Sequence, residues 1–268
     1  MSFRLPSSLS PSKVSAFKDC PLAFRFSAID RLPEAPTKWT VKGTLVHKVL
    51  EKLFWEIPKG KRTPKAALEK LEQVWQMTQS ELSFIQLDLS SDAKAQMLNE
   101  SKQLVKNYFQ IEDPNQVNAV GMEVVLEAQI HNLKLRGILD RLDIQDGELV
   151  VIDYKTGAVP SQLQEQSRLS GVHFYAFLCQ QFFGKMPIRV ELLYLSKPIS
   201  ITAIPSEQST RAMAKKTQAI WGAVERGCKF EDFRPRVSKR CDFCSFKSIC
   251  PAFNQCGPAD ENPFFMIQ

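Results

Sequence analysis

In this 268-residue chain, Asp140, Asp153 and Lys155 have the types and spacing to do chemistry. Asp153-Tyr154-Lys155 closes a β-prone run, Val150-Val151-Ile152. On a strand, Asp153 and Lys155 face one way while Val150, Ile152 and Tyr154 face the other. Asp140 lies in a preceding β-like run, Gly137-Ile138-Leu139-Asp140-Arg141. Pairing of the two runs would set two carboxylates side by side, a hard-oxygen site suited to Mg²⁺ or Mn²⁺. A lysine beside them can orient or deprotonate a water, or stabilise developing negative charge. Together these groups suit phosphodiester hydrolysis, in which the metal polarises a phosphoryl oxygen and acidifies a bound water. Singly they mean little: Asp-x-Lys is common, and Asp140-Arg141 alone reads equally as a cross-strand ion pair. Their joint occurrence in this order carries the reading.

A second set of reactive groups lies near the C-terminus. Cys241-x₂-Cys244-x₅-Cys250 has metal-ligand spacing, and three thiolates so close together have no comparable packing rationale. A fourth ligand is required, and Cys20 and Cys256 are the candidates. A Cys₄ zinc module using Cys256 fits the spacing as well as an iron–sulfur site does. Cys179, in an apolar helical run, reads as a small core residue. Cys228 has no evident partner.

Elements that must position these groups follow from periodicity. A short helix capped by Ser12 precedes Cys20-Pro21. A helix over about 40–55 buries Val46, Val49, Leu50 and Leu53 on one stripe, with Gly43, His47 and Glu51 four apart on the next. Amphipathic helices follow over about 65–82 and 93–109. From Asn118 the texture turns to strands: 121–130 and 133–144 joined by His131-Asn132, then 148–155. A helix over 162–183, strands at 188–195 and 199–204, and a helix over 206–226 complete the pattern. The expected class is α/β. The expected organisation is one domain: a helical insertion at about 58–117, a core at about 118–227, and a cysteine-rich segment at 228–256.

Composition excludes several classes. Apolar residues make up 44% and charged residues 24%, which is globular rather than disordered or collagen-like. Seven cysteines are too few for a disulfide scaffold. No apolar run is long enough to cross a bilayer, and the Ser/Pro-rich start lacks a signal peptide's core. The expectation is a cytoplasmic protein without membrane contact. No GxxxxGK[ST] loop is present, so the chain is not itself an ATP-driven helicase. The net charge of +6 gains meaning from its location: residues 228–250 hold six basic against three acidic residues. Arg240 and Lys247 among them are candidate phosphate contacts. Phe230, Phe233, Phe243 and Phe246 interleave with the charges and could stack on bases, although packing beneath the cysteines is the favoured expectation.

Asp140 with Asp153-Tyr154-Lys155, together with Gly43-Thr44-Leu45-Val46-His47 upstream, Gly137 through Arg141, and Thr156-Gly157 after the lysine, resembles the PD-(D/E)XK nucleases of the RecB-like branch. The resemblance spans about residues 9–255. It implies a restriction-endonuclease-like core, a mixed central sheet flanked by helices. It adds His47 as a metal ligand beside Asp140 and Asp153. It also implies Tyr175 as a substrate contact, although Gly171 stands where the family usually has glutamine. Tyr175 reads equally as a core aromatic. Glu123 is a further acidic residue of the strand before Asp140, expected to be structural more than catalytic. A subset of the branch, including the B subunit of the AddAB helicase–nuclease and CRISPR-associated exonucleases, holds a 4Fe–4S cluster. It uses one cysteine before the core and three after it, which here implies Cys20, Cys241, Cys244 and Cys250. The function implied is a metal-dependent DNA exonuclease acting on single strands or strand ends in repair or recombination, with any unwinding left to a separate helicase subunit. Two alternatives stand beside it: a DNA-docking subunit with weak or conditional activity, and a nuclease directed at RNA.

Overall fold

The computed structural model describes residues 3–160 and 162–254. In chain order the helices are α1 (Pro11–Asp19), α2 (Pro21–Phe24), α3 (Lys38–Glu56), α4 (Pro64–Thr78), α5 (Leu82–Ile85) and α6 (Ser91–Ile111). Strands β1 (Ala119–Ile130), β2 (Leu133–Gln145) and β3 (Glu148–Lys155) follow, then α7 (Gln162–Phe183), β4 (Arg189–Tyr194), β5 (Ile199–Ala203) and α8 (Glu207–Phe230). The helix starts are locally encoded. Thr37 and Thr40 form a reciprocal capping box at α3. Thr63 with Pro64 opens α4, and Ser90 caps α6. Pro58 lies two residues past α3, where it cannot continue the helix. No helix of the described residues is long and apolar enough to cross a membrane.

The chain forms two compact units. The larger, residues 7–11 and 35–223, holds a five-stranded mixed sheet in the order β1-β2-β3-β4-β5. β1, β2 and β3 form an antiparallel meander. The β2–β3 connection is Asp146-Gly147, both with positive φ, the two-residue turn whose twist matches the strands it joins. β3 and β4 are parallel, and α7 supplies the crossover that parallel pairing requires. β5 pairs antiparallel with β4 at the sheet edge. Helices flank the sheet. α3, α4 and α6 share one apolar cluster with Val150, Ile152 and Tyr154 of β3. α7 packs on β1 and β2. At about 25 cal/mol per Å² of apolar area, this cluster is the main stabilising element of the unit.

The smaller unit draws on both ends of the chain, residues 3–6, 12–34 and 224–254. Phe3 donates its N–H to the Cys228 carbonyl at 3.0 Å, and its ring lies against Phe233 and under the Arg25 guanidinium. Phe233 also sits over Gly227, where a Cβ would come within 2.7 Å of the ring. After α2 the chain widens into a π-helical turn, Arg25–Ile29, closed by Asp30. Phe233 and Phe246 are buried as expected, but Phe230 and Phe243 are not. Phe243 is 91% exposed, which corrects the expectation of packing for these two rings. The physical reason is local: Phe243 ends a one-turn 3₁₀ segment, Lys239–Phe243, whose surroundings supply no apolar cover for it.

Candidate active site

The β2–β3 register pairs Arg141 with Ile152, so one residue further along, Asp140 and Asp153 are neighbours across the ladder. Lys155 forms an ion pair with Asp153. The Asp140 carboxylate accepts the Tyr154 backbone N–H at 2.6 Å, and its other oxygen lies 3.4 Å from His47 Nδ1. His47 is brought there by α3, whose opposite face is locked in the core by Leu45, Val46, Val49 and Leu50. Gly43, one turn earlier, leaves room for the Thr156 hydroxyl, which would be 3.3 Å from any Cβ at that position.

Glu123 completes the group. It has a φ of +50°, a left-handed conformation that non-glycine residues seldom adopt, within the β1 run opposite Asp140. Ligand atoms of His47, Glu123 and Asp140 lie within 4.8 Å of one another, and theirs is the one group of this kind among the described residues. Gly43, Thr44, His47, Lys48, Glu51 and Glu123 line a recess of about 420 Å³ at this point.

Electrostatics mark the site as strongly anionic. Burial pushes Asp153 up to about 6, with the Asp140 charge adding to the effect and Lys155 opposing it. Burial and the charges of Asp140 and Glu51 also raise Glu123. For His47, burial acts to lower the pKa, but the hydrogen bond to Asp140 and the nearby carboxylates outweigh it and raise it above 6.5. The site thus draws protons to itself. An imidazole and hard carboxylate oxygens converging under such a potential suit a divalent cation, which would take the protons' place.

Tyr175, on α7, lies within the field of the site's carboxylates. Its hydroxyl is held above the ordinary phenol range by burial and by the charges of Asp153, Asp140 and Glu123. Gly137 makes this approach possible, since a Cβ there would meet Leu178 at 2.6 Å and the Tyr175 ring at 3.3 Å. Gly171 has open space around it and contributes no polar group. Asp140, Asp153, Lys155 and His47, grouped from the sequence, do come together here; Glu123, expected to be structural, lies beside them, and nothing in its neighbours signals a left-handed residue inside a strand.

In the smaller unit, Cys20, Cys241, Cys244 and Cys250 all line one cavity of about 250 Å³. None is in a disulfide. The Arg236 N–H points to Cys20 Sγ and the Ser238 N–H to Cys241 Sγ, each at 3.4 Å. Cys256 lies outside the described residues. Cys179 and Cys228 are buried elsewhere. Arg240 is paired with Asp19, and Lys247 with Asp242 at 3.2 Å.

A mixed sheet flanked by helices, with Glu123, Asp140, Asp153 and Lys155 on its first three strands and His47 on the helix beside them, has the layout of a metal-dependent nuclease. The chain belongs to the PD-(D/E)XK nuclease superfamily, whose sequence model matches residues 8–251. Nucleases of this superfamily use divalent metals. The chain is 24% identical over 273 residues to the Gene 69 protein of Mycobacterium phage D29, covering 91% of this chain and 96% of that one. Its fold is similar to the crystal structure of a presumed exonuclease from Eubacterium rectale, with a TM-score of 0.60 at 10% identity. That match covers 95% of this chain and 91% of the other.

Proposed function

We propose that this protein is a Mg²⁺- or Mn²⁺-dependent DNA exonuclease acting on single strands or strand ends in DNA repair or recombination. The observation that carries the reading is the convergence of His47, Glu123 and Asp140 within 4.8 Å, beside the Asp153–Lys155 pair. His47, Asp140 and Asp153 would hold the metal, with Glu123 joining them. Bound there, a divalent cation polarises a phosphoryl oxygen and acidifies a water. Lys155, free to exchange its Asp153 partner for a water, orients the nucleophile or offsets developing charge. Tyr175 contacts the substrate from α7. Arg240 and Lys247 neutralise strand phosphates. The lack of a nucleotide-binding loop leaves unwinding to a separate helicase subunit, and the setting is the cytoplasm.

The four cysteines are read as a 4Fe–4S site. Support comes from the shared cavity and from the N–H groups aimed at two sulfurs, a contact that tunes such clusters.

End-labelled single- and double-stranded DNA, with matched RNA, digested in Mg²⁺ or Mn²⁺ tests the function. Wild type should shorten DNA from an end. Asp140→Ala should abolish cleavage, and Lys155→Ala should slow it by about 10²-fold or more while DNA binding persists. Full Mn²⁺-dependent activity in both variants would sink the assignment, and preference for the RNA would redirect it.

A further inference from the structure

We infer that Tyr154, anchored through its hydroxyl to the buried Arg141 guanidinium, is a positioning residue that sets the geometry of the metal site. The inference rests on the nuclease reading above.

Arg141 has no solvent exposure. Its Nε and Nη2 donate to the two Asp143 oxygens at 2.8 and 2.9 Å, and Nη2 donates to Glu112 at 3.0 Å. Nη1 donates to Glu112 at 2.5 Å and to the Tyr154 hydroxyl at 2.9 Å, with the Tyr108 hydroxyl further off at 3.2 Å. Tyr108 in turn donates to Glu112 at 2.6 Å. A guanidinium clamped by carboxylates on two sides has fixed position and fixed donor directions. The far end of the Tyr154 ring is therefore pinned, and Tyr108 stands edge-on to it at 5.9 Å.

From that pinned ring, every proposed element of the site except Glu123 and Tyr175 is one contact away. Asp153 and Lys155 are its covalent neighbours. Its backbone N–H fixes one Asp140 oxygen at 2.6 Å. His47 packs edge-on against it at 5.9 Å, so the imidazole's approach to Asp140 is set by the same ring. Stability alone does not call for this arrangement. A buried ionic network is costly to desolvate, and apolar residues of similar volume commonly fill such a space as well or better. What a rigid fork supplies that apolar packing does not is a defined position for one hydroxyl, and through it for the strand that carries the chemistry.

The test is Tyr154→Phe, which keeps the ring, the backbone N–H and the His47 contact and deletes only the bond to Arg141. Tyr108→Phe is the comparison, because it removes a hydroxyl from the same guanidinium without touching Tyr154. Mn²⁺ binding is measured by calorimetry without DNA, alongside thermal midpoints and kcat and KM on single-stranded DNA. Tyr154→Phe should bind Mn²⁺ about tenfold more weakly, in line with other outer partners of metal ligands. Its kcat should fall with KM for DNA unchanged, and high Mn²⁺ should restore much of the rate. Tyr108→Phe should lower the thermal midpoint at least as much and leave Mn²⁺ binding as in wild type. Equal loss of Mn²⁺ affinity in both variants would reduce the network to general core support and overturn the inference, as would wild-type binding by Tyr154→Phe. If wild type itself bound no divalent metal, the nuclease reading would fall first and this inference with it.

Discussion

At the scale of the residue, Glu123 is costly to the fold in its charged form. Burial and the charges of Asp140 and Glu51 make its ionised form unfavourable, so its pKa in the fold lies above the ordinary 4.5. The folded state then binds that proton more tightly than the unfolded one, and stability from this group falls as pH rises through the folded value. Glu123→Gln should therefore raise the thermal midpoint of the metal-free protein at pH 7. The gain should fade as the pH is taken below 4.5, where the wild-type carboxyl is protonated in both states. The same change removes a converging ligand atom and should weaken Mn²⁺ binding. Melting curves of both proteins at pH 7 and pH 4, paired with Mn²⁺ titration, check the two effects. A lower midpoint at pH 7 would mean that Glu123 stabilises the fold rather than opposing it.

At the scale of the element, most of what positions the site was legible in periodicity and turn chemistry. Strand alternation placed Asp153 and Lys155 on one face and Tyr154 on the other, and the core contains Val150, Ile152 and Tyr154 together. The α3 stripe of Gly43, His47 and Glu51 lines the recess. What periodicity could not convey was backbone handedness at Glu123 and the partners of Arg141. Asp140-Arg141 suggested a cross-strand ion pair, whereas Arg141 draws Glu112 and Tyr108 from a remote helix and Tyr154 from the paired strand. Such partners are set by tertiary packing and leave no local trace. Tyr175 was evenly balanced between core and site; Gly137 lets α7 settle close to β2, and the buried Tyr175 ring feels the charges of Asp153, Asp140 and Glu123. Gly137→Ala should accordingly cost about 1–3 kcal/mol, because the methyl group meets the fully buried Leu178 and the Tyr175 ring. It should also lower cleavage beyond what the loss of stability accounts for. Chemical denaturation and single-turnover rates well below the melting temperature separate the two. Unchanged rates would show that Tyr175 has no part in catalysis.

At the scale of the whole chain, the smaller unit is assembled from segments far apart in sequence. Cys20 and Cys241 are separated by 220 residues. Fixing both to one inorganic group removes loop-closure freedom from the unfolded chain worth about 5 kcal/mol in the chain-entropy picture. If the proposed cluster binds there, its assembly would be part of folding rather than an addition to it. Two consequences can be measured on protein purified without oxygen. Wild type should be brown, with broad visible absorbance and about four irons per chain if the cluster is 4Fe–4S. Cys20→Ala should lose most of that iron and melt at lower temperature. It should also become sensitive to proteolysis in the segments around residues 12–34 and 224–254, where the four proposed cysteine ligands lie. Cys179→Ala, whose thiol burial holds near a pKa of 12, should keep its iron, since that sulfur is a packing group of the other unit. A colourless wild type holding one zinc per chain, with Cys20→Ala unchanged in metal content, would assign the ligands to the C-terminal cysteines alone and remove the link between the chain's two ends.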